Sequence, residues 1–292
     1  MSLRAISVSR DRNWIVCGTY DGASVWDGEM REKVMSVEGT DGVWAVDISP
    51  DSTKFATGTH RQKLSIWNIK TGERLIGPLD HDNGSGGVAA IRFSPNGEHI
   101  ATTCFGGSLY IFNSDNGDKL IAINTAMSPT PSQFYAITPF TWSSDGQQIF
   151  AASEDNKIRC FNVLTGSQLK ESQILRDRND GDDVYSIALA PNGKFIATFA
   201  DRSISLLDVS TLTRICPVVK GGEGIRSIAI STDSSYLAAG QVDGKIILYH
   251  LDKILLNSYG PFHVGIYSSI VSASQTSSVL LRMLTNCTDI HS

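Results

Sequence analysis

Residues 43–68 read VWAVDISPDSTKFATGTHRQKLSIWN, and this stretch decides the fold. An apolar residue at Val43 is followed by another at Val46 and a serine at Ser49, and a turn of Ser-Pro-Asp-Ser type comes next. A second short run ends at Thr59, a second turn follows, and a third run ends in Trp67-Asn68. The same order recurs in LRAISVSRDRNWIVCG, VAAIRFSPNGEHIATT, ITPFTWSSDGQQIFAAS, VYSIALAPNGKFIATF and IRSIAISTDSSYLAAG. The third runs end at Trp26-Asp27, Trp67-Asn68, Phe112-Asn113, Phe161-Asn162, Leu207-Asp208 and Tyr249-His250, spaced 41, 45, 49, 46 and 42 residues apart. A period of about 40 to 50 residues is that of a stacked or radial array. Short runs bounded by Pro-Asn-Gly, Ser-Asp-Gly or Asp-Gly are antiparallel strands joined by tight turns. A weaker fourth strand follows in LIGPLDH and KLIAI, so each unit is one four-stranded sheet. Such a sheet has two apolar faces, cannot bury both alone, and needs neighbours.

Composition agrees with that reading. The 292 residues are 41% hydrophobic and 19% charged, with 26 glycines, which suits an all-β globular chain and excludes disorder. A net charge of -5 without a basic block argues against nucleic acid and anionic lipid as partners. Cys17, Cys104, Cys160, Cys216 and Cys287 lie 56 to 87 residues apart, far from the density of a disulfide scaffold, which points to a reducing compartment. The alternating, charged N-terminus lacks the apolar centre of a signal peptide, and no stretch reaches the length of a membrane span. A cytoplasmic protein is expected, with the nucleus as the alternative.

On the Trp26-Asp27 and Trp67-Asn68 ends, the SPDS, SPNG and APNG turns and the TGERLIGPLDH stretch, the chain resembles the WD40-repeat β-propeller family over about Leu3 to Asn257. The resemblance implies an all-β propeller of four-stranded antiparallel blades, six clear and a degraded seventh. Residues 1–258 are expected to form the array, and residues 259–292 a degraded half-blade or a frayed end, since VGIYSSIVSASQTSSVLL echoes the first two strands of a unit. Whether the ring closes stays open. The family's buried tetrad of Trp, Ser or Thr, Asp and His is never complete here. The second unit offers Thr59 and Trp67; the third offers His81 with Phe112 in place of Trp; the fourth keeps Ser153, Asp155 and Phe161. An unpaired buried polar group costs about 1–3 kcal/mol, so blades held mainly by apolar burial are expected.

The motifs of an enzyme are missing: there is no GxSxG elbow, HExxH, GxGxxG or Cys/His cluster. Asp177–Asp183 (DRNDGDD) has its glycine one residue early for a calcium loop and lacks the closing glutamate, so it reads as a solvated insertion. No catalytic residue, metal or cofactor is expected. The resemblance instead implies a non-enzymatic scaffold with protein or peptide partners, no nucleic acid and no membrane. Contacts are expected at the second residue of each first strand and at the residue before the second turn's Asp. Arg4, Tyr20, Trp44, His60, Phe105, Glu154, Tyr185 and Arg226 are the candidate binding residues, Trp, Tyr and Arg being the types that dominate interface energetics. The proline-containing insertion Thr125–Phe134 lies on the same expected face. A lactonase-like propeller hydrolase and a truncated array from a larger signalling NTPase are the alternatives.

Overall fold

A computed structural model describes residues 3–256, apart from 39–40, 62, 82–86, 105–107, 125–138, 154, 174, 176–183, 185, 201–202, 217–218, 221–224 and 242, together with residues 268–271. Six four-stranded antiparallel sheets account for nearly all of it. The first is β1–β4 (Leu3–Val8, Trp14–Thr19, Gly22–Asp27, Lys33–Glu38) and the second β5–β8 (Val43–Ile48, Lys54–Thr59, Lys63–Asn68, Arg74–Asp80). The third is β9–β12 (Val88–Phe93, His99–Cys104, Ser108–Asn113, Lys119–Asn124) and the fourth β13–β16 (Phe140–Trp142, Gln148–Ala152, Ile158–Asn162, Gln168–Glu171). The fifth is β17–β20 (Ser186–Leu189, Phe195–Ala200, Ser203–Asp208, Val219–Lys220). The sixth is β21–β24 (Ile225–Ile230, Tyr236–Gln241, Ile246–His250, Ser268–Val271). The chain divides into two compact units, one holding the first three sheets and the other the last two, with the fourth sheet shared between them.

Two side-chain devices explain why the turns recur. In the first turn of a unit a serine hydroxyl donates to the carboxylate two residues on: Ser9 to Asp11 at 2.5 Å, Ser49 to Asp51 at 2.6 Å, Ser231 to Asp233 at 2.5 Å. The same hydroxyls accept the N–H five residues on, from Trp14, Lys54 and Tyr236, each at 2.9 Å. At the end of each third strand the Asp or Asn side chain accepts the backbone N–H groups two and three residues later. Asp27 takes Glu29 and Met30, Asn68 takes Lys70 and Thr71, and Asn113, Asn162 and Asp208 repeat the pattern. That is an Asx turn, and it explains the acid or amide after each strand-end aromatic. His250 cannot form one. There the chain enters the helix α1 (Leu251–Leu256) before returning as β24, so the stretch that echoes a seventh unit supplies the outer strand of the sixth sheet. The rest of residues 257–292 lies outside the described residues, as do all of the Thr125–Phe134 insertion and all of Asp177–Asp183.

Within each unit the sheets pack by one rule. The second sheet turns a front face of large residues (Val46, Ile48, Phe55, Trp67) onto Val16 and Val25 at the back of the first. Its own back face (Ala45, Ala56, Leu64, Ile66) receives Ile91, Phe93, Ile100 and Phe112 from the front of the third. The same front-on-back contact joins fourth to fifth and fifth to sixth sheets. A glycine in the second strand makes the closest approach. A Cβ on Gly18 would stand 2.7 Å from Val43 Cγ1, and one on Gly58 would stand 2.5 Å from Val88 Cγ1. These are sockets that only a hydrogen can occupy.

The front faces also carry polar pairs. Trp67 Nε1 donates to Thr57 Oγ1 at 2.9 Å, and His81 Nε2 is hydrogen-bonded to Thr102 Oγ1 at 2.7 Å with its ring edge-on to Tyr110 and Phe112. The hydroxyl position therefore lies two residues before the one expected from sequence, at Thr57 and not Thr59. His81 is a buried structural residue. In the fourth sheet Asp155 pairs with the buried Arg159 through two bonds of 2.7 and 2.6 Å, and Glu171 lies 3.2 Å from the same guanidinium.

The packing rule predicts that Gly58→Val destabilises the fold by about 1–3 kcal/mol through overpacking against Val88 and Ile91. At Gly240, where a Cβ would meet no described atom nearer than Ser227 O at 4.0 Å, the same change should alter stability by less than about 1 kcal/mol. Urea unfolding of both variants checks the contrast.

Candidate functional site

Four of the eight candidate residues meet at one end of the first and second sheets. Arg4 is the extra residue at a register shift between Leu3 and Ala5, and Trp44 is the corresponding extra residue between Val43 and Ala45. Each bulge re-aims one side chain toward the sheet's end. Tyr20 and His60 occupy the turns after β2 and β6. The Arg4 guanidinium lies 4.4 Å from the Tyr20 ring centroid and 5.5 Å from that of Trp44, and it donates to the Tyr20 hydroxyl. The His60 and Trp44 rings are tilted at 5.1 Å between centroids.

Backbone geometry makes room for this group. Gly42 has φ +68°, its carbonyl accepts the His60 N–H at 3.0 Å, and a Cβ there would press to 3.4 Å from Tyr20 Cδ1. Glycine adopts this left-handed conformation without the strain a side chain would bring. Gly87 passes so close to His60 that a Cβ would lie 2.7 Å from its carbonyl oxygen. Beside the rings, Arg61 Nε faces Asp41 Oδ1 at 3.4 Å, an exposed pair that contributes little stability. Tyr20 remains 52% exposed and Arg4 and His60 are exposed, so the cluster is held in place while its outer edges face water. A cation over two aromatic rings in one fixed geometry is what a contact site needs to bind without a large ordering cost.

Of the other candidates, Arg226 lies in β21, and Phe105, Glu154 and Tyr185 fall outside the described residues. Ala200, at one of the expected contact positions, is buried in the core between fourth and fifth sheets. Among the described residues no three His, Cys, Asp or Glu side chains gather as metal ligands would. Cys17, Cys104 and Cys216 are free thiols, and burial pushes that of Cys104 up to about 12. No helix among the described residues is long and apolar enough to cross a membrane.

The sequence patterns carry these features further than a motif scan reveals. A model of the WD domain, G-beta repeat family matches residues 31–68, 75–113, 131–162, 170–208 and 215–250, more than half of the chain. The chain belongs to the WD domain, G-beta repeat family. Four of the five matched windows run from the outer strand of one sheet into the first three strands of the next, and the third, 131–162, begins after β12. The first sheet precedes the first full window, yet its strands pair in the same register as those of the second. As a WD-repeat protein it has the family's fold class, all-β with six four-stranded blades of a β-propeller.

Several relatives are similar to part or most of it. Eukaryotic translation initiation factor 3 subunit I of Debaryomyces hansenii is 26% identical over 266 residues, which cover 82% of this chain and 71% of the relative. Periodic tryptophan protein 2 of Arabidopsis thaliana is 23% identical over 240 residues, 80% of this chain and 25% of that protein. Autophagy-related protein 16 of the same plant is 31% identical over 117 residues, 38% of this chain and 22% of that protein.

Sequence reasoning passed over the role of Asp47, the acid within a first strand. Its carboxylate accepts the Phe93 N–H at 2.8 Å and the Ser7 hydroxyl at 3.1 Å, tying β1, β5 and β9 together, with Arg92 Nη1 at 3.9 Å. Burial raises its pKa, outweighing Arg92 and these hydrogen bonds. For a carboxyl raised in the folded state, the stabilising contribution is present at low pH and is lost as pH rises through the unfolded value near about 4 toward the folded one. Asp47→Asn keeps an acceptor for Phe93 and has no charge to bury. Its stability relative to the wild type should therefore improve from about pH 4 to pH 7. Urea titrations across that range check this, and a relative stability that falls with pH would contradict it.

Proposed function

We propose that this WD-repeat protein is a non-enzymatic scaffold that binds protein or peptide partners through the end of the propeller carrying Arg4, Tyr20, Trp44 and His60. The supporting observation is the ordered stack of Arg4 on Tyr20 and Trp44, with polar edges left to solvent. Phe105, Glu154, Tyr185 and Arg226 hold the corresponding places in their own repeats and are proposed as further contact residues. The partner is a polypeptide, with neither nucleic acid nor membrane involved. Its assembly is a cytoplasmic multi-subunit one of the kind the name translation initiation factor 3 subunit I denotes for its relatives. That no motif of a hydrolase accompanies the repeats supports a binding role over catalysis.

The test is affinity purification of the tagged full chain from its own cells, with bound proteins quantified. Arg4→Ala and Trp44→Ala should each reduce the retained partners by at least about tenfold, as expected for central interface residues. Glu29→Ala, in an exposed turn after β3, should retain them. Recovery of initiation factor subunits by the wild type, and their loss from the two variants, is the expected pattern. Equal recovery by all four proteins would overturn the proposed surface.

A further inference from the structure

Arg4 is held by rings where Arg61 and Arg92 are faced by acids. Arg61 has Asp41 at 3.4 Å, and Arg92 has Asp47 at 3.9 Å. The Arg4 guanidinium instead lies over the Tyr20 and Trp44 rings, 4.4 and 5.5 Å from their centroids, and donates to the Tyr20 hydroxyl. Among the described residues no carboxylate pairs with it, and Arg4 is exposed. All of these residues belong to the compact unit that holds the first three sheets. A cation fixed in place without an acid beside it is poised for an anion from outside.

The chemistry of that anion follows from the group's own charges. The chain's own cation already sits against both rings, so a partner's Lys or Arg would have to displace it, whereas an anion meets N–H groups that Arg4 has not spent on Tyr20. A guanidinium directs these donors outward in one plane, and two on one edge match the two oxygens of a carboxylate. Arg4 and Arg61 stand against Asp41, which faces Arg61, and Asp21, which follows Tyr20 in the same turn, so the local charge is balanced. A phosphate of about -1.5 to -2 is held by a cluster of cations. Among the described residues no such cluster surrounds Arg4, and an anion of single charge fits better.

We propose that Arg4 receives a carboxylate of the partner polypeptide, an Asp or Glu side chain or the chain's C-terminus, through a two-bond fork presented from the Tyr20 and Trp44 rings. The inference rests on the proposed contact site and names the chemical group which that site takes. The rings set the plane of the fork before the partner arrives, so little of the side chain's freedom is left to lose on binding. Lysine in place of Arg4 would carry the same charge without the fork.

The test is binding of the full chain to an array of random-sequence peptides, some phosphorylated on serine, each made with a free and with an amidated C-terminus. Arg4→Ala, Arg4→Lys and Glu29→Ala are compared with the wild type once circular dichroism shows each to be folded. Peptides that bind the wild type and not Arg4→Ala should share an Asp or Glu at one place, or require the free C-terminus. Replacing that acid by its amide, or amidating that terminus, should weaken binding by at least about tenfold and so tells the two sources apart. Arg4→Lys should weaken it by at least about tenfold as well, and Glu29→Ala should bind as the wild type does. Preference for phosphoserine over the acid, a shared Lys or Arg, or full binding by Arg4→Lys overturns the carboxylate fork while leaving the contact site in place. An array with no Arg4-dependent peptide overturns the contact site and this inference together.

Discussion

Burial of two apolar faces by a sheet only one side chain thick is the constraint on which the rest of this structure depends. A four-stranded sheet that alternates Phe55 and Thr57 forward with Ala56 and Gly58 backward has no side to give to water. Its neighbours must supply both covers, and they do so with a fixed polarity, large residues onto small. The glycine sockets at Gly18 and Gly58 set how closely adjacent sheets approach. Polar pairs such as Trp67 with Thr57 and His81 with Thr102 then satisfy the few hydrogen-bonding groups which that approach buries.

The proposed contact group lies at the ends of these sheets, where the packing rule releases its hold. Arg4 and Trp44 sit at register shifts, and a register shift is what frees a first-strand side chain from the alternation that would send it into the core. The turns holding Tyr20 and His60 are anchored by Gly42 and by the near contact of Gly87. Rigid apolar sheets thus hold a small, polar-edged aromatic group in one arrangement. Asp47 works on the same scale in the opposite direction, giving up some stability at neutral pH to fasten three first strands together.

Much of this is written plainly in the sequence. Six sheets, their order and the turns between strands follow from the SPDS and SPNG runs and from the Asp or Asn after each strand-end aromatic, because those residues are the turns' hydrogen-bonding parts. The meeting of Arg4, Tyr20, Trp44 and His60 was legible from their repeat positions. The hydroxyl that pairs with Trp67 was misplaced by two residues, since Thr57 and Thr59 point to the same face and only the strand register distinguishes them. The helix after His250 was also missed, for the loss of an Asx residue says that the turn fails without saying what replaces it. The lesser burial of the first sheet's front face could not be read at all, because Leu3, Ile6, Val8, Ile15 and Trp26 are as apolar as their counterparts in the second sheet.

Native-state hydrogen exchange on the central strands tests the mutual-cover account most directly. If front-on-back burial holds the sheets, the amides of β6 and β10 should open together at the highest free energy, and those of β2, whose Ile15 and Cys17 are only partly buried, should open earlier. Equal protection of β2, β6 and β10, or separate opening of the second and third sheets at unrelated free energies, would contradict it.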